Sequence, residues 1–319
     1  VGPTSHDIVA AARRQLGTRR VGHAGTLDPL ASGVLLLLSD VHTRLSSFLT
    51  ASNKSYLAWV SFGGSTPTLD AEGPFVPGPG VPDADGLAER ITDLLPGFLA
   101  LTEQVPPSYS AVKQAGVKGY EAARRGESLE HPPRPAGYRS ITLLATADSP
   151  EALPRRFSRA ADGSWLPDPQ GREFTLPAEL VSVPCALLSL EVQAGTYIRS
   201  FARDLGEQLG CGAFLSGLVR TAAGRLSLED TVPADALAGA AGLDPLDVLP
   251  FPGVQLSEEE ASRIRLGQRL PVKFSGTVAL LAPDGSLAAI AEATEDSGGR
   301  MKLLAVFPAP SDRDAGSKM

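Results

Sequence analysis

Apolar residues recur along this chain in two different patterns, and the patterns follow one another without a regular order. Residues 56–62 are rich in β-forming side chains and residues 188–194 alternate apolar with polar ones, which is typical of strands. Residues 87–95 and 198–209 instead repeat apolar side chains every three or four positions, which is typical of helices. Because these elements do not form a regular βαβ series, the sequence predicts an α+β fold rather than a doubly wound sheet.

The composition places the chain among ordinary globular proteins. Its 319 residues suffice for one large domain and a small one, and 43% of them are hydrophobic. No apolar run approaches the roughly 18–20 residues that span a bilayer and no signal peptide is visible, so we expect a cytoplasmic protein without membrane contact. The two cysteines fit a reducing compartment, and the four histidines lack metal-ligand spacing. The sequence therefore predicts a protein without a metal site.

Charge is distributed unevenly along the chain. The formal net charge is −7, which by itself argues against a nucleic-acid partner. Residues 1–60 nevertheless hold six Arg or Lys against three Asp or Glu, and residues 106–145 hold the same numbers. Residues 226–319 hold eight against fourteen. Since phosphate binding needs a local positive stripe rather than a positive total, the first two regions could still bind RNA.

Sequence signals near both ends of the given chain predict helices and strands. A capping-box-like start at residues 4–7 and a stop at Gly17 predict a helix in which Ile8, Ala12 and Leu16 share one face. Near residues 250–252 two prolines indicate a domain boundary. Beyond it the sequence predicts a short helix and three strands, at residues 257–266, 277–281, 288–293 and 303–307.

The most informative segment for function is a glycine-rich run at residues 22–33, directly followed by the apolar residues 34–38. Its glycines permit backbone angles that other residues reach only with strain. Asp28 is therefore expected on an ordered loop beside a predicted strand, where catalytic side chains often lie. An alternative interpretation is that Asp28 only caps the turn before Pro29.

Four segments together carry a resemblance to a known family. They are residues 23–34 (HAGTLDPLASGV), 54–56 (KSY), 105–113 with 119–124 (VPPSYSAVK, GYEAAR), and 195–200 with 204–206 and 209–213 (GTYIRS, DLG, LGCGA). In this order and spacing they resemble the TruB family of tRNA pseudouridine synthases, which isomerise uridine 55 in the T-loop of tRNA. The chain departs from the family pattern at residues 193–194, where Gln-Ala replaces Ser-Lys, and before Val1, where the family has a strand ending in Lys-Pro.

The resemblance implies a domain arrangement. Residues 1–249 would form a pseudouridine synthase catalytic domain with a mixed, largely antiparallel sheet, interrupted by an insertion at about residues 146–180. Residues 250–319 would form a small β-rich, PUA-like RNA-binding domain.

The resemblance also implies three catalytic residues. Asp28 matches the essential carboxylate, which either attacks the ribose or base or assists proton removal at C2′. Arg199 falls in the first turn of a predicted helix, where the helix dipole disfavours a cation, which suggests an ion pair with Asp28. Tyr56 would stack on the flipped uracil and help to remove the C5 proton. From the pattern alone, a surface arginine and a core tyrosine are the alternatives.

The resemblance further implies a set of RNA-binding residues and the RNA that they bind. His23 would fill the space that the flipped base leaves. Tyr197 would contact the substrate, or could instead pack under the catalytic loop. The other predicted substrate contacts are Gly25, Thr26, Tyr109, Lys113, Tyr120, Arg19 and Arg20, the two arginines also suiting the helix dipole. The expected partner is the T-arm of tRNA, bound by a monomer without guide RNA. Because the implied reaction is an isomerisation, the resemblance also implies that no cofactor is needed.

Three other functions remain open at this point. A glycoside hydrolase would need a second ordered carboxylate, for which Asp70 or Glu72 is the nearest candidate. An RNA-folding protein could grip the T-arm without turnover. A synthase that depends on a guide RNA would use the same chemistry with a different source of specificity.

Overall fold

A computed structural model describes residues 2–80, 86–110, 113–114, 117–118, 131–177, 180–293 and 299–310. Within these ranges the α-helices are α1 (Ser5–Leu16), α2 (Ser46–Thr50), α3 (Leu87–Leu99), α4 (Ile198–Gln208), α5 (Pro245–Val248) and α6 (Glu258–Arg265). Short 3₁₀ helices span Asp40–Leu45, Pro150–Ala152, Leu228–Asp230 and Leu237–Gly239.

The strands of the same residues are numbered in chain order. The first ten are β1 (Val21–Ala24), β2 (Ser32–Gly33), β3 (Leu36–Ser39), β4 (Lys54–Phe62), β5 (Gly64–Ser65), β6 (Val76–Pro77), β7 (Glu103–Gln104), β8 (Lys113–Gln114), β9 (Val117–Lys118) and β10 (Arg134–Pro135). The others are β11 (Tyr138–Ala147), β12 (Arg156–Arg159), β13 (Trp165–Pro167), β14 (Arg172–Glu173), β15 (Cys185–Val192), β16 (Ala213–Ala223), β17 (Leu226–Ser227), β18 (Gly253–Gln255), β19 (Gly276–Leu281), β20 (Leu287–Ala293) and β21 (Lys302–Val306).

The chain divides into two units, of which the first comprises Val1–Thr4, Leu27–Val34 and Asn53–Ala223. Its sheet has the strand order β11–β15–β4–β16, each strand antiparallel to its neighbours, and β2 joins β16 in parallel. Helices α3 and α4 bury their apolar residues in the same core as this sheet. The predicted α+β class with a largely antiparallel sheet is therefore confirmed.

Strand β4 lies in the middle of this sheet and is buried on both faces. On one face, Ala58, Val60 and Phe62 belong to the core to which α3 and α4 also contribute. On the opposite face the Trp59 indole meets the ring of Phe157 edge to face, with centroids 5.8 Å apart. Residues 146–180, expected to be an insertion, contribute the small sheet β13–β12–β14, and Phe157 lies on β12.

The second unit comprises Ser5–Thr26, Leu35–Ser52 and Gly224–Met319. Strands β18–β21 form one sheet in chain order, β18 parallel to β19 and the others antiparallel. Helix α6 starts with a capping box between Ser257 and Glu260 and packs its buried residues into the core of this sheet. The helix and three strands predicted after residue 252 are thus confirmed, while the domain boundary itself stays a prediction.

In helix α1 of the second unit, the predicted end of the helix is confirmed, but only part of the predicted apolar face is buried. It ends before Gly17, whose φ is +64°, as predicted. Val9 and Ala12 are buried, whereas Leu16 is 41% exposed, so the face shared by Ile8, Ala12 and Leu16 is buried only in part. The reason is geometric: successive steps of four residues overshoot the helical turn of 3.6, and the stripe drifts off the buried face.

Candidate active site

Asp28 lies in a tight turn that leads into strand β2. The Ala31 amide donates to the Asp28 carbonyl at 2.9 Å and closes this turn. The turn is held against β16 at Gly33, whose φ is +106° and where an added Cβ would lie 2.2 Å from the carbonyl oxygen of Arg220. Only glycine fits so close an approach at that φ. The side chain of Asp28 remains 31% exposed.

Arg199, the second residue of α4, forms a two-pronged ion pair with Asp28. Its Nε donates to Oδ2 and its Nη2 to Oδ1, both at 3.0 Å. The Arg199 side chain is only 8% exposed. Such paired, parallel bonds fix the orientation of a carboxylate as well as its electrostatic surroundings. The predicted ion pair is therefore present, although it does not by itself establish a catalytic role.

The remaining donors of Arg199 are also used. Nη1 donates to the carbonyl of Thr68 and Nη2 to the carbonyl of Tyr109, each at 3.0 Å. Asp70 Oδ2 lies 3.7 Å from Nη1 and is nearly fully buried. Burial raises the pKa of Asp70, opposed by a hydrogen bond from the Thr68 hydroxyl and by the charge of Arg199. Asp70 thus contacts the arginine rather than Asp28, and two loops hold the guanidinium in place.

Tyr56 is half-buried on β4, directly opposite Arg220 on β16. Burial raises the pKa of the Tyr56 phenol. The charge of Arg220 and its hydrogen bond to the phenol oppose this rise, whereas the negative charge of Asp28 adds to it. Asp28 and Tyr56 are therefore close enough to interact electrostatically within the first unit.

Tyr197 immediately precedes α4, and two hydrogen bonds with Gln104 hold its backbone. Gln104 Oε1 accepts from the Tyr197 amide at 2.9 Å, and Nε2 donates to the Tyr197 carbonyl at 3.1 Å and to the Tyr138 hydroxyl at 2.7 Å. Burial raises the pKa of Tyr197. Tyr109, besides accepting from Arg199, has a half-buried side chain. Asp204 pairs with Arg203 at 2.7 Å.

Most of the other predicted contacts lie in the second unit. His23 lies on β1, edge to face with His6 at 5.8 Å, and its carbonyl accepts from Ser46 Oγ. Arg19 and Arg20 are exposed after α1. Gly25, with φ of +90°, and Thr26 follow β1. The backbone of Lys113 belongs to β8, and Tyr120 lies outside the described residues.

Sequence reasoning missed Arg220, which is only 2% exposed. Its Nε donates to the carbonyl of Val34 at 2.7 Å. It also missed the burial of Lys54, whose pKa is lowered to about 8 by burial and by the charge of Arg220. Arg220 directly follows residues 213–219, a mostly apolar run that is typical of a buried strand, and a cation at the end of such a run was the available signal.

Among the described residues, no group of three or more His, Cys, Asp or Glu is arranged so that it could hold a metal ion. No helix in the same part of the chain is long and apolar enough to cross a membrane.

Two family profiles and several curated relatives match the sequence of the chain. The sequence profile of the TruB family pseudouridylate synthase N-terminal domain matches residues 13–157, and that of tRNA pseudouridine synthase II, C-terminal, matches residues 251–308. A "tRNA pseudouridine synthase B" from Thermus thermophilus is 49% identical over 95% of each chain, and one from Deinococcus radiodurans is 45% identical over 94% of this chain and 95% of its own.

Solved structures share the fold. A chain from the "Crystal Structure of a Cbf5-Nop10-Gar1 Complex" superposes with a TM-score of 0.60 at 22% identity, covering 96% of this chain and 82% of its own. One from an archaeal box H/ACA sRNP Nop10-Cbf5 complex gives a TM-score of 0.58 at 21% identity, covering 96% and 83%.

Proposed function

We propose, because the chain belongs to the TruB family of pseudouridylate synthases, that it converts uridine 55 in the T-loop of tRNA to pseudouridine, with Asp28 as the catalytic carboxylate. The observation that carries the assignment of Asp28 is its two-pronged ion pair with Arg199. The glycoside hydrolase alternative loses its support, because the relatives are synthases and Asp70 is buried against Arg199.

The reaction breaks the bond between N1 and C1′, turns the uracil, and forms a bond between C5 and C1′. The proton lost from C5 is balanced by the proton gained at N1, so the product is an isomer of the substrate. Attack by the carboxylate and removal of a C2′ proton both need Asp28 ionised. Each carboxylate oxygen that accepts from Arg199 keeps a second lone pair, and the exposed part of Asp28 leaves room for the ribose.

Tyr56 supports the base once it has left the T-loop. Extruding a nucleotide from its stack costs a few kcal/mol. Stacking on an aromatic ring contributes about 1–3 kcal/mol per base, which is the right size to offset that cost. The half-buried position of Tyr56 and its coupling to Asp28 support this role.

Recognition of the tRNA would use the basic part of the second unit. Arg19 and Arg20 are exposed and can neutralise phosphates of the T-arm. We assign residues 250–319 as a separate RNA-binding domain, because strands β18–β21 and α6 have a core of their own. The enzyme would act in the cytoplasm as a monomer and without a guide RNA.

The test is incubation of the protein with an unmodified tRNA transcript, without guide RNA or added metal, followed by mapping of pseudouridine at single-nucleotide resolution. We expect product only at the T-loop uridine. Asp28→Asn should abolish it while tRNA affinity stays within about tenfold, or 1.4 kcal/mol. Asp162→Asn makes the same chemical change at an exposed turn between β12 and β13 and should leave turnover unchanged.

Two results would contradict the proposal. Product formation by Asp28→Asn would exclude Asp28 as the catalytic carboxylate. Tight tRNA binding without product in the unaltered protein would favour an RNA-folding function instead.

A further inference from the structure

We infer that Gln104 is a positioning residue for catalysis: its buried amide holds the backbone of Tyr197, the residue before α4, and thereby keeps Arg199 in place beside Asp28. The inference rests on the proposed function and extends it, because it names a residue that acts on the reaction only through Arg199.

The first observation is that the Gln104 side chain uses both of its donors and its acceptor. Oε1 accepts from the Tyr197 amide at 2.9 Å, and Nε2 donates to the Tyr197 carbonyl at 3.1 Å and to the Tyr138 hydroxyl at 2.7 Å. Gln104 is only 5% exposed. Because a buried amide is costly unless its polar atoms are paired, these three bonds fix the side chain in one orientation.

The second observation is that the start of α4 is held from outside the helix. The side chain of the N-cap residue, Tyr197, makes no capping hydrogen bond. The Tyr197 carbonyl accepts from the Phe201 amide at 3.1 Å, within the first turn, and also from Gln104. Gln104 therefore holds both polar backbone groups of the residue from which the helix begins, and Arg199 lies two residues further along.

The third observation is that the segment after β7 contacts the same turn of α4. The Val105 carbonyl accepts from Ser200 Oγ at 2.8 Å, and the Tyr109 carbonyl accepts from Arg199 Nη2 at 3.0 Å. The same Nη2 donates to Asp28 Oδ1, also at 3.0 Å. A shift of this turn relative to the segment would therefore change the bonds that orient the carboxylate.

The fourth observation is that Gln104 is itself anchored in the core of the first unit. The ring of Tyr138, whose hydroxyl accepts from Gln104, packs edge to face on Phe98 of α3, with centroids 6.1 Å apart. The backbone of Gln104 lies on β7, opposite Arg134 of β10. The amide thus connects a fixed part of the core to the start of α4.

The experiment measures single-turnover rates at saturating enzyme together with tRNA affinity and thermal unfolding. Gln104→Leu keeps the approximate volume but removes all three bonds. Because a small misplacement of a catalytic group has a large effect on rate, we expect the rate to fall by about 10–100-fold with unchanged tRNA affinity. Arg90→Met is the matched control: Arg90 Nη2 donates to the carbonyl of Leu209, at the opposite end of α4. This variant should keep the full rate.

A double-mutant cycle tests whether Gln104 acts through Arg199. In the Arg199→Lys background the fork beside Asp28 is already lost, so adding Gln104→Leu should lower the rate by less than about threefold. A residue that only stabilises the fold would lower the rate by the same factor in both backgrounds. Equal factors would therefore overturn the inference.

Gln104→Glu adds a readout that depends on pH. Burial raises the pKa of the introduced carboxyl group. Its protonated form can accept from the Tyr197 amide and donate one bond, as the amide of Gln104 does, whereas the ionised form cannot donate. The rate relative to the unaltered enzyme should therefore rise by at least about fivefold as the pH falls from about 8.5 to about 6. A relative rate that stays as low as that of Gln104→Leu throughout would contradict the inference.

The outcomes are distinguishable from failure of the proposed function. A full rate in Gln104→Leu overturns the inference, even if Asp28→Asn is inactive as the proposed function requires. If Gln104→Leu does not fold, the pH dependence of Gln104→Glu decides. Product formation by Asp28→Asn would instead overturn the proposed function.

Discussion

Replacing Arg199 by lysine keeps the charge beside Asp28 but removes the planar fork. In the structure the guanidinium makes two bonds to Asp28 and one each to the carbonyls of Thr68 and Tyr109, all at 3.0 Å. A lysine carries three donors on one nitrogen and cannot reach the same four acceptors. At least one bond to the carboxylate and one to a carbonyl are lost.

The size of the effect follows from these contacts. Hydrogen bonds to charged groups contribute about 1.5–3 kcal/mol each, so the loss of two amounts to about 3–6 kcal/mol. If the lost contacts act mainly in the transition state, where Asp28 must be oriented, turnover should fall by about 10²–10⁴, since each 1.36 kcal/mol is a factor of ten. The affinity for tRNA should change little.

The assay is single-turnover conversion of an unmodified tRNA transcript, with tRNA binding and thermal unfolding measured on the same preparations. Arg203→Lys is the matched control, because Arg203 lies one turn later on α4 and pairs with Asp204 rather than with Asp28. It should retain turnover. Near-normal turnover in Arg199→Lys, or an equal loss in Arg203→Lys, would refute the argument that the fork at Asp28 matters.

Three further predictions concern stability and can be measured by urea or thermal unfolding. Gly33→Ala places a Cβ 2.2 Å from the Arg220 carbonyl at a φ of +106° and should cost about 3 kcal/mol or more, whereas Gly97→Ala in α3, with open space around it, should be neutral or stabilising. Lys54 has a pKa lowered to about 8 from 10.5, so the unfolded chain binds more protons between these values and stability rises with pH across them. Lys54→Met should therefore be more stable by up to about 3 kcal/mol at pH 7, and this advantage should disappear above pH 10.5; a constant difference would contradict it. Phe157→Ala removes a fully buried ring and should destabilise by about 3–5 kcal/mol; a change below 1 kcal/mol would show that the small sheet contributes little to the core.

Several parts of the fold could be predicted because local sequence determines them. Helix α4 follows from its apolar spacing, and the C-terminal strands follow from their β-rich segments. The position of Asp28 on an ordered loop follows from the glycines around it, and Gly33 has the positive φ that this interpretation requires. In each of these cases the controlling interactions lie within a few residues along the chain.

The parts that could not be predicted depend on contacts between distant segments. Thr68 and Tyr109 offer only backbone carbonyls to Arg199, and every residue has a carbonyl, so no sequence pattern marks them. The sequence offers Asp70 as a candidate second carboxylate, and only the tertiary structure shows that it contacts Arg199. Arg220 was overlooked because apolar patterns identify a buried strand without indicating which buried position carries a charge.

The position of Arg199 is explained by its partners rather than by its helix. A cation in the first turn of a helix opposes the dipole, which costs about 0.3–1 kcal/mol. Four hydrogen bonds, two of them to a carboxylate, outweigh that cost several times over. The same four bonds connect α4 to three separate loops, so a residue that is locally unfavourable holds Asp28 in a fixed orientation. Arg220 does the same on β16, since a buried charge there joins Val34 and Tyr56. In both cases the free-energy cost of placing a cation is offset by hydrogen bonds to residues of the proposed active site.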